Sequence, residues 1–212
     1  MIKRLAAFTL CATALSASAL TAMPPANEWE IGPWARGKNY SIGMPATPRE
    51  GANGSLVVDF PQAGRGEWDA LTTGVGPLKN VDRISIRYRI DAAPGTRFVP
   101  AEEPDQTATI SVYFQRAGDT WTAKGRYASY RWYAPKQAVM PLKPGEHTIS
   151  MSLDDRWTNV WHRPREEHER EFAAALSNTA RFGIAFGTLG RRSHGVYATG
   201  PARFTLLSVD FD

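Results

Sequence analysis

The chain has 212 residues, a formal net charge of +4 at pH 7 and a single cysteine. A hydrophobic fraction of 42% over this length is enough for one domain with its own apolar core. The single cysteine excludes an intramolecular disulfide and a zinc site built on several cysteines. The sequence contains no run of Lys and Arg of the kind that follows a phosphate backbone, so it argues against nucleic acid as a partner.

The first 22 residues have the three-part composition of a secretory signal peptide. Residues 3 and 4 (Lys-Arg) give a positive start, residues 5–20 are uncharged, and the small residues 17–19 (Ala-Ser-Ala) precede a cleavage site. The apolar run is too rich in Ala, Ser and Thr for a membrane span of about 20 strongly apolar residues. We expect cleavage after residue 19 or 22, no membrane span, and a secreted or periplasmic protein. Cys11 would leave with the leader.

Residues 23–54 are rich in Pro, Gly and Asn, with Trp29, Trp34 and Tyr40 among them. A free linker would lack such large aromatic residues. We therefore predict an irregular N-terminal arm that packs on the body of the protein, with a first strand at 28–31.

From residue 55 to residue 153, short runs with β-type composition follow one another. Residues 84–90 and 107–116 alternate apolar and polar side chains almost without error. Alternation with a period of two is typical of antiparallel sheets with one buried face, and it argues against βαβ units.

One helix interrupts this pattern before strands resume at 181–186 and 202–211. Pro164 fits a first helical turn, Phe172 and Leu176 share one face of 165–176, and Asn178 is a suitable terminator. The predicted fold is all-β, a two-sheet antiparallel jelly-roll sandwich over 55–212 with one short lateral helix near 165–177.

Catalytic motifs are missing from the sequence. There is no Gly-x-Ser-x-Gly elbow, no strand with the Glu-x-Asp-x-Glu pattern of jelly-roll glycosidases, and no histidine pair at metal-binding spacing. Asp154 and Asp155 are adjacent on the chain, so their side chains would point to opposite faces of a strand. We predict no catalytic residue and no required cofactor.

Aromatic residues and arginines are concentrated between residues 121 and 161. Flat rings stack on the C–H faces of sugars, while guanidinium and amide groups bond the hydroxyls. The competing interpretation is that these tryptophans belong to the core. The rings are Trp121, Tyr127, Tyr130, Trp132, Tyr133, Trp157 and Trp161, and the arginines are Arg126, Arg131, Arg156 and, just after this segment, Arg163.

A ligand-binding surface can be placed from the alternation alone. If 84–90 and 107–116 share a sheet, then Arg87, Tyr113 and Gln115 lie on one polar face, with Arg131 and Tyr133 as neighbours. The alternatives are an ordinary solvated sheet face, or a site at the loop edge that carries Trp157 and Trp161.

Residues 68–90 resemble the early strands of carbohydrate-binding modules in the galactose-binding-like jelly-roll superfamily, and 202–211 is similar to their last strand. The resemblance implies the sandwich fold and a carbohydrate-binding role. Members often hold a structural calcium, which Glu28 or Glu30 could bind here together with Asp210.

We therefore expect a secreted, non-catalytic protein that binds a glycan or a cell-envelope polysaccharide. Two alternatives stay open: a polysaccharide lyase or hydrolase on the same scaffold, and an envelope domain that contacts another protein.

Overall fold

A computed structural model describes residues 23–212 of the protein. The predicted signal peptide and Cys11 lie outside the described residues, so cleavage of the leader stays a prediction. The described chain contains one α-helix, α1 (Glu169–Ser177). None of its helices is long and apolar enough to cross a membrane. Short 3₁₀ helices occur at Ala26–Glu28, Ala52–Gly54, Gly125–Ser129, Lys136–Ala138 and Arg165–Glu167.

The remaining regular structure of residues 23–212 consists of strands. In chain order they are β1 (Trp29–Gly32), β2 (Trp34–Ala35), β3 (Lys38–Asn39), β4 (Arg49–Glu50), β5 (Leu56–Asp59), β6 (Ala70–Gly74), β7 (Arg83–Ala92), β8 (Phe98–Pro100), β9 (Thr109–Arg116), β10 (Arg131–Tyr133), β11 (Met140–Pro141), β12 (Gly145–Ser152), β13 (Thr158–Asn159), β14 (Thr179–Gly187), β15 (Val196–Ala198) and β16 (Ala202–Phe211).

Two antiparallel sheets form the body. The larger sheet has the order β1-β6-β14-β9-β10-β13, with β11 also paired to β9, and the smaller sheet has the order β12-β7-β16-β5-β4. Two short ladders, β2-β3 and β8-β15, complete the pairing. The predicted all-β jelly-roll sandwich with one lateral helix is confirmed.

The core lies between the two sheets. On β7, Ile84 and Ile86 are fully buried while Ser85 between them is more exposed, as period-two alternation requires. Aromatic rings from both sheets meet there: Trp68 lies 3.9 Å from Phe186 between ring centroids, and Phe204 lies 5.7 Å from Phe186. Each large apolar side chain buried in this way stabilises the fold by about 1.5–3 kcal/mol.

Strand β9 is buried on both of its faces. Ile110, Val112 and Phe114 face the core, as predicted. Tyr113 and Gln115 face the outer side of the larger sheet, yet both are buried as well. Loops cover this outer face, and a second, smaller apolar cluster forms beneath them. Its members are Ala70, Tyr113, Tyr133 and Ala185, with Trp121 packed against them.

Residues 23–54 pack on the body and also contribute to both sheets. Strand β1 pairs with β6, with Trp29 opposite Thr73, and β4 pairs with β5. The Trp29 ring is buried in the core, whereas Trp34 and Tyr40 stay exposed. The division of the chain at residue 54 stays a prediction.

The lateral helix starts later than the pattern suggested. The 3₁₀ helix Arg165–Glu167 precedes α1, which begins at Glu169. Phe172 is buried and packs edge-on against Trp132, with ring centroids 4.9 Å apart, while Leu176 is half-buried. A narrow apolar face therefore attaches the helix to the sandwich.

Candidate functional site

A cavity of about 480 Å³ opens on the outer face of the larger sheet. We call it the outer-face cavity. Its floor comes from β10 and from the residues that precede β6, and its walls come from the surrounding loops. The residues that line it belong to segments 33–40, 67–69, 120–123, 131–133, 160–162 and 190–194, together with Glu102. This volume is within the range of pockets that hold small ligands.

Arg131 lies at the floor of the outer-face cavity, and its side chain is only 2% exposed. Its guanidinium carbon stands 3.7 Å from the centroid of the Trp121 ring, and its Nη1 is 3.7 Å from Asp119 Oδ2. Gln115 Nε2 donates to the same carboxylate oxygen at 2.8 Å. Asp119 thus offsets the charge of Arg131. The Nε and Nη1 groups of Arg131 have no hydrogen-bond acceptor within residues 23–212.

Tyr113 lies beneath the cavity and supports its floor. Its hydroxyl is hydrogen-bonded to the Thr72 hydroxyl at 2.5 Å, and its ring is 5.7 Å from those of Trp121 and Tyr133. Burial raises the pKa of the Tyr113 phenol, so the group keeps its proton at neutral pH. Tyr113 does not itself line the cavity.

Arg192 forms part of the opposite wall and is 8% exposed. Its Nη1 donates to the carbonyl oxygen of Ala134 at 2.6 Å, and its guanidinium carbon is 5.6 Å from the centroid of the Tyr133 ring. The Nε of Arg192 is buried without an acceptor among the described residues. Burial lowers the pKa of Arg192 to about 10, which still leaves the group charged at neutral pH.

Two carboxyl groups, those of Glu67 and Asp69, line another part of the cavity. Both pack against the backbone of Gly195, where a Cβ atom would lie 2.8 Å from Asp69 Oδ1 and 3.1 Å from Glu67 Oε2. Burial, and then the charges of Glu67 and Glu102, raise the pKa of Asp69 to about 8. Burial and the charge of Glu102 also raise the pKa of Glu67. The Asp69 carboxyl group is therefore mostly protonated at neutral pH.

Glu102 lies at the rim of this acidic wall and is neutralised by basic neighbours. Arg191 Nη1 donates to Glu102 Oε2 at 2.7 Å, and His194 Nδ1 is 3.1 Å from Glu102 Oε1. Burial alone would raise the pKa of Glu102, but the hydrogen bonds and charges of His194 and Arg191 outweigh it and lower the pKa. Arg191 also lies 3.2 Å from Glu103.

The structure brings together four of the five site residues predicted from the sequence. Arg131 and Tyr133 line the cavity, while Tyr113 and Gln115 lie buried behind them. The placement of Arg87 on the same face is wrong. Its strand β7 belongs to the smaller sheet, where Arg87 is exposed and its Nε lies 3.6 Å from Glu146. The alternating pattern identified both strands correctly but carries no information on which strands pair.

The alternative site at Trp157 and Trp161 divides into a core residue and a surface residue. Trp157 is fully buried, and its Nε1 donates to the carbonyl oxygen of Ser152. Trp161 is 62% exposed, and its Nε1 donates to the carbonyl oxygen of Ala123 at 3.1 Å. Trp161 does not line the outer-face cavity.

The residues considered for calcium do not form a donor set. Glu30 is on β1 of the larger sheet and is 3.1 Å from Arg181, whereas Asp210 is on β16 of the smaller sheet and accepts a hydrogen bond from Ser208. Residues 23–212 contain no group of three or more His, Cys, Asp or Glu side chains placed to hold a metal ion. Calcium binding stays a prediction that no donor cluster supports.

Sequence reasoning missed Glu67, Asp69 and Arg192. A signal for the two acids was present, because Glu67 and Asp69 flank the core residue Trp68 and so belong on the face opposite to it. Nothing comparable marks Arg192, which reaches the cavity from a loop that the sequence identifies only as a connection between strands.

No protein-family model and no curated protein sequence matches the chain. Similar solved structures include a CBM28 carbohydrate-binding module specific for non-crystalline cellulose, at 12% identity and a TM-score of 0.46, covering 90% of this chain and 94% of that chain. A xylanase from Cellvibrio japonicus in complex with xylopentaose gives 11% identity and a TM-score of 0.38, covering 88% of this chain and 28% of that chain.

A structure from work on endo-acting O-glycanases, which members of the human gut microbiota express to initiate mucin breakdown, gives 10% identity and a TM-score of 0.37, covering 88% of this chain and 92% of that chain. These values are too low to carry the ligands of those proteins over to this one. Function has to be inferred from the cavity.

Proposed function

We propose that the protein is a secreted, non-catalytic carbohydrate-binding protein whose ligand occupies the outer-face cavity. The observation that carries the proposal is the combination of aromatic rings with largely buried guanidinium groups, some of whose N–H donors have no acceptor among the described residues. Trp121 and Tyr133 supply the rings, and Arg131 and Arg192 supply the donors. Buried donors without partners are costly, so a ligand rich in hydroxyl oxygens would relieve that cost.

The lining is preorganised for such a ligand. Trp121 is held by Arg131 against its ring and by Asp119, which accepts from the Trp121 backbone N–H at 3.1 Å. A sugar that contacts this ring would therefore cause little loss of side-chain freedom. Apolar ring surface beside fixed polar groups matches the amphipathic faces of a pyranose.

The test is binding of the purified mature protein to a glycan array, followed by calorimetry on each hit. Trp121→Ala should weaken binding by about 5- to 30-fold, because loss of an aromatic contact residue of this kind costs on the order of 1–2 kcal/mol. Arg87→Ala is the control, since this side chain is exposed on the smaller sheet, outside the cavity. Loss of binding in Arg87→Ala, or unchanged binding in Trp121→Ala, would contradict the assignment.

A second candidate function is a polysaccharide lyase or hydrolase, and one observation favours it. Asp69 keeps its proton up to about pH 8 beside a second carboxyl group, which is the state required of a general acid. Reducing-end and unsaturated-product assays on the same glycans separate the two functions. Turnover by the wild type that is lost in Asp69→Asn and Glu67→Gln would replace the non-catalytic proposal.

Secretion is supported by the charge and apolar pattern of residues 1–22. The intact mass of the exported protein tests it. The expected masses correspond to chains that begin at Leu20 or Met23, and a retained leader would contradict the proposed cleavage.

A further inference from the structure

We infer that the ligand of the outer-face cavity is an acidic glycan, and that the carboxylate of a uronic acid residue pairs with Arg192. This inference rests on the proposed function and names the class of sugar. It starts from an imbalance of charge inside the cavity, where one buried cation has no anionic partner.

Arg192 differs in this respect from Arg131 and Arg191, and it differs from Arg36, which also lines the cavity, in being buried rather than exposed. Arg131 has Asp119 at 3.7 Å, and Arg191 has Glu102 and Glu103. Within residues 23–212, no carboxylate forms an ion pair with Arg192, although its side chain is among the most buried of the charged groups. Its one protein acceptor is a neutral carbonyl, that of Ala134. A buried charge without a counter-charge is unfavourable, and a ligand anion would remove that penalty.

The acidic groups of the cavity do not supply the missing counter-charge for Arg192. Glu102 is engaged by Arg191 and His194, and Asp69 is mostly uncharged at neutral pH. Glu67 packs with Asp69 against Gly195. Glu102 and Asp69 therefore add little repulsion for an anionic sugar, and the protonated Asp69 carboxyl group can donate a hydrogen bond to it.

The surroundings of Arg192 suit a carboxylate on a sugar ring. A planar guanidinium binds a carboxylate through parallel N–H donors, and Arg192 lines the cavity while using only Nη1 for its hydrogen bond to the protein. The Tyr133 ring lies beside the guanidinium, and the Tyr133 hydroxyl makes only a long contact of 3.4 Å to Ser193 Oγ. That hydroxyl can turn to a ligand at little cost.

Arg192 could instead serve only to hold Ala134 at the end of β10. The two roles differ in what they predict for charge selectivity. If Arg192 is purely structural, its substitution would change the affinity for neutral and acidic ligands equally. If it is a counter-charge for the ligand, its substitution would weaken the binding of acidic ligands alone.

The experiment compares matched pairs of oligosaccharides by calorimetry at neutral pH. The probes are oligogalacturonate, alginate oligosaccharides and glucuronoxylan oligosaccharides, each beside its carboxyl-reduced form, so that only the acidic group differs. At least one acidic probe should bind about ten-fold more tightly than its reduced form. Sulfated galactan oligosaccharides form a further arm, and preference for them over every uronate would overturn the assignment to a carboxylate.

Variants of Arg192 then locate the selectivity. Arg192→Gln should bind the acidic probe only as well as the reduced one, Arg192→Lys should keep part of the preference, and Arg87→Gln should keep all of it. Equal binding of both forms by the wild type overturns the inference without any variant. Binding of neutral glycans alone overturns this inference and leaves the proposed function standing, whereas no binding to either set overturns both.

Discussion

Gly183 offers the sharpest test of how the cavity floor is built. It lies on β14 between two neighbours in the sheet, opposite Thr72 on β6 and opposite Tyr113 on β9. The Tyr113 side chain crosses above Gly183 to reach the Thr72 hydroxyl. A Cβ atom at Gly183 would lie 2.5 Å from the Tyr113 hydroxyl oxygen, far inside the van der Waals distance.

Gly183→Ala must therefore displace a fully buried tyrosine. Inserting a methyl group into a well-packed core costs about 1–3 kcal/mol, and breaking the buried hydrogen bond to Thr72 adds about 1 kcal/mol. The backbone of Gly183 has an ordinary φ, so alanine introduces no strain of its own. We expect a loss of roughly 2–4 kcal/mol in the free energy of unfolding.

Urea unfolding followed by tryptophan fluorescence measures this loss. Gly74→Ala is the matched control, because Gly74 lies in the neighbouring strand β6 and a Cβ there would meet no atom within 4 Å. In a Tyr113→Ala background, Gly183→Ala should cost less than about 1 kcal/mol, since the ring that it would strike is gone. Equal costs in both backgrounds, or an equal cost for Gly74→Ala, would refute the reasoning.

Two further predictions concern pH and the lateral helix. Burial raises the pKa of Asp69 from 3.8 to about 8, so the unfolded chain releases this proton at a lower pH than the folded chain does. This group therefore favours the folded state less and less as pH rises from about 4 to about 8, by up to about 1.4 kcal/mol per pH unit. The free energy of unfolding of Asp69→Asn, measured by urea titration, should therefore increase relative to that of the wild type as pH rises across that range. A difference that does not change with pH would contradict the raised pKa. Phe172→Ala should cost about 3 kcal/mol in the same assay because the ring is buried against the sandwich, whereas His168→Ala should change stability and glycan binding little. A large loss of binding in His168→Ala alone would show that the helix has a functional role.

The sequence predicts the strands well because alternation reports burial directly. The isoleucines at 84, 86 and 90 are buried as the pattern requires. The same pattern misled at Tyr113 and Gln115, whose outer face was expected to meet solvent. It meets loops instead. A loop far along the chain, such as the one that carries Arg192, can cover this face without changing the alternation of apolar and polar residues in either segment.

The candidate site was predictable only in part for the same reason. Arg131 and Tyr133 were found because they share a face of one strand and combine a cation with a ring. Arg87 was assigned to their surface because alternation defines the two faces of a strand but not its neighbours. Strand pairing depends on contacts between residues far apart in the chain, such as Gly183 with Tyr113.

The position of β16 has a consequence for the order in which the protein folds. This strand lies between β5 and β7 in the smaller sheet, with Phe204 opposite both Val58 and Ile90. Until residues 202–211 have been synthesised, β5 and β7 each present an unpaired edge, and such edges associate with other chains. Pairings between residues so distant in the chain also form slowly. A fragment that lacks these ten residues would therefore be an aggregation-prone chain rather than a smaller stable domain.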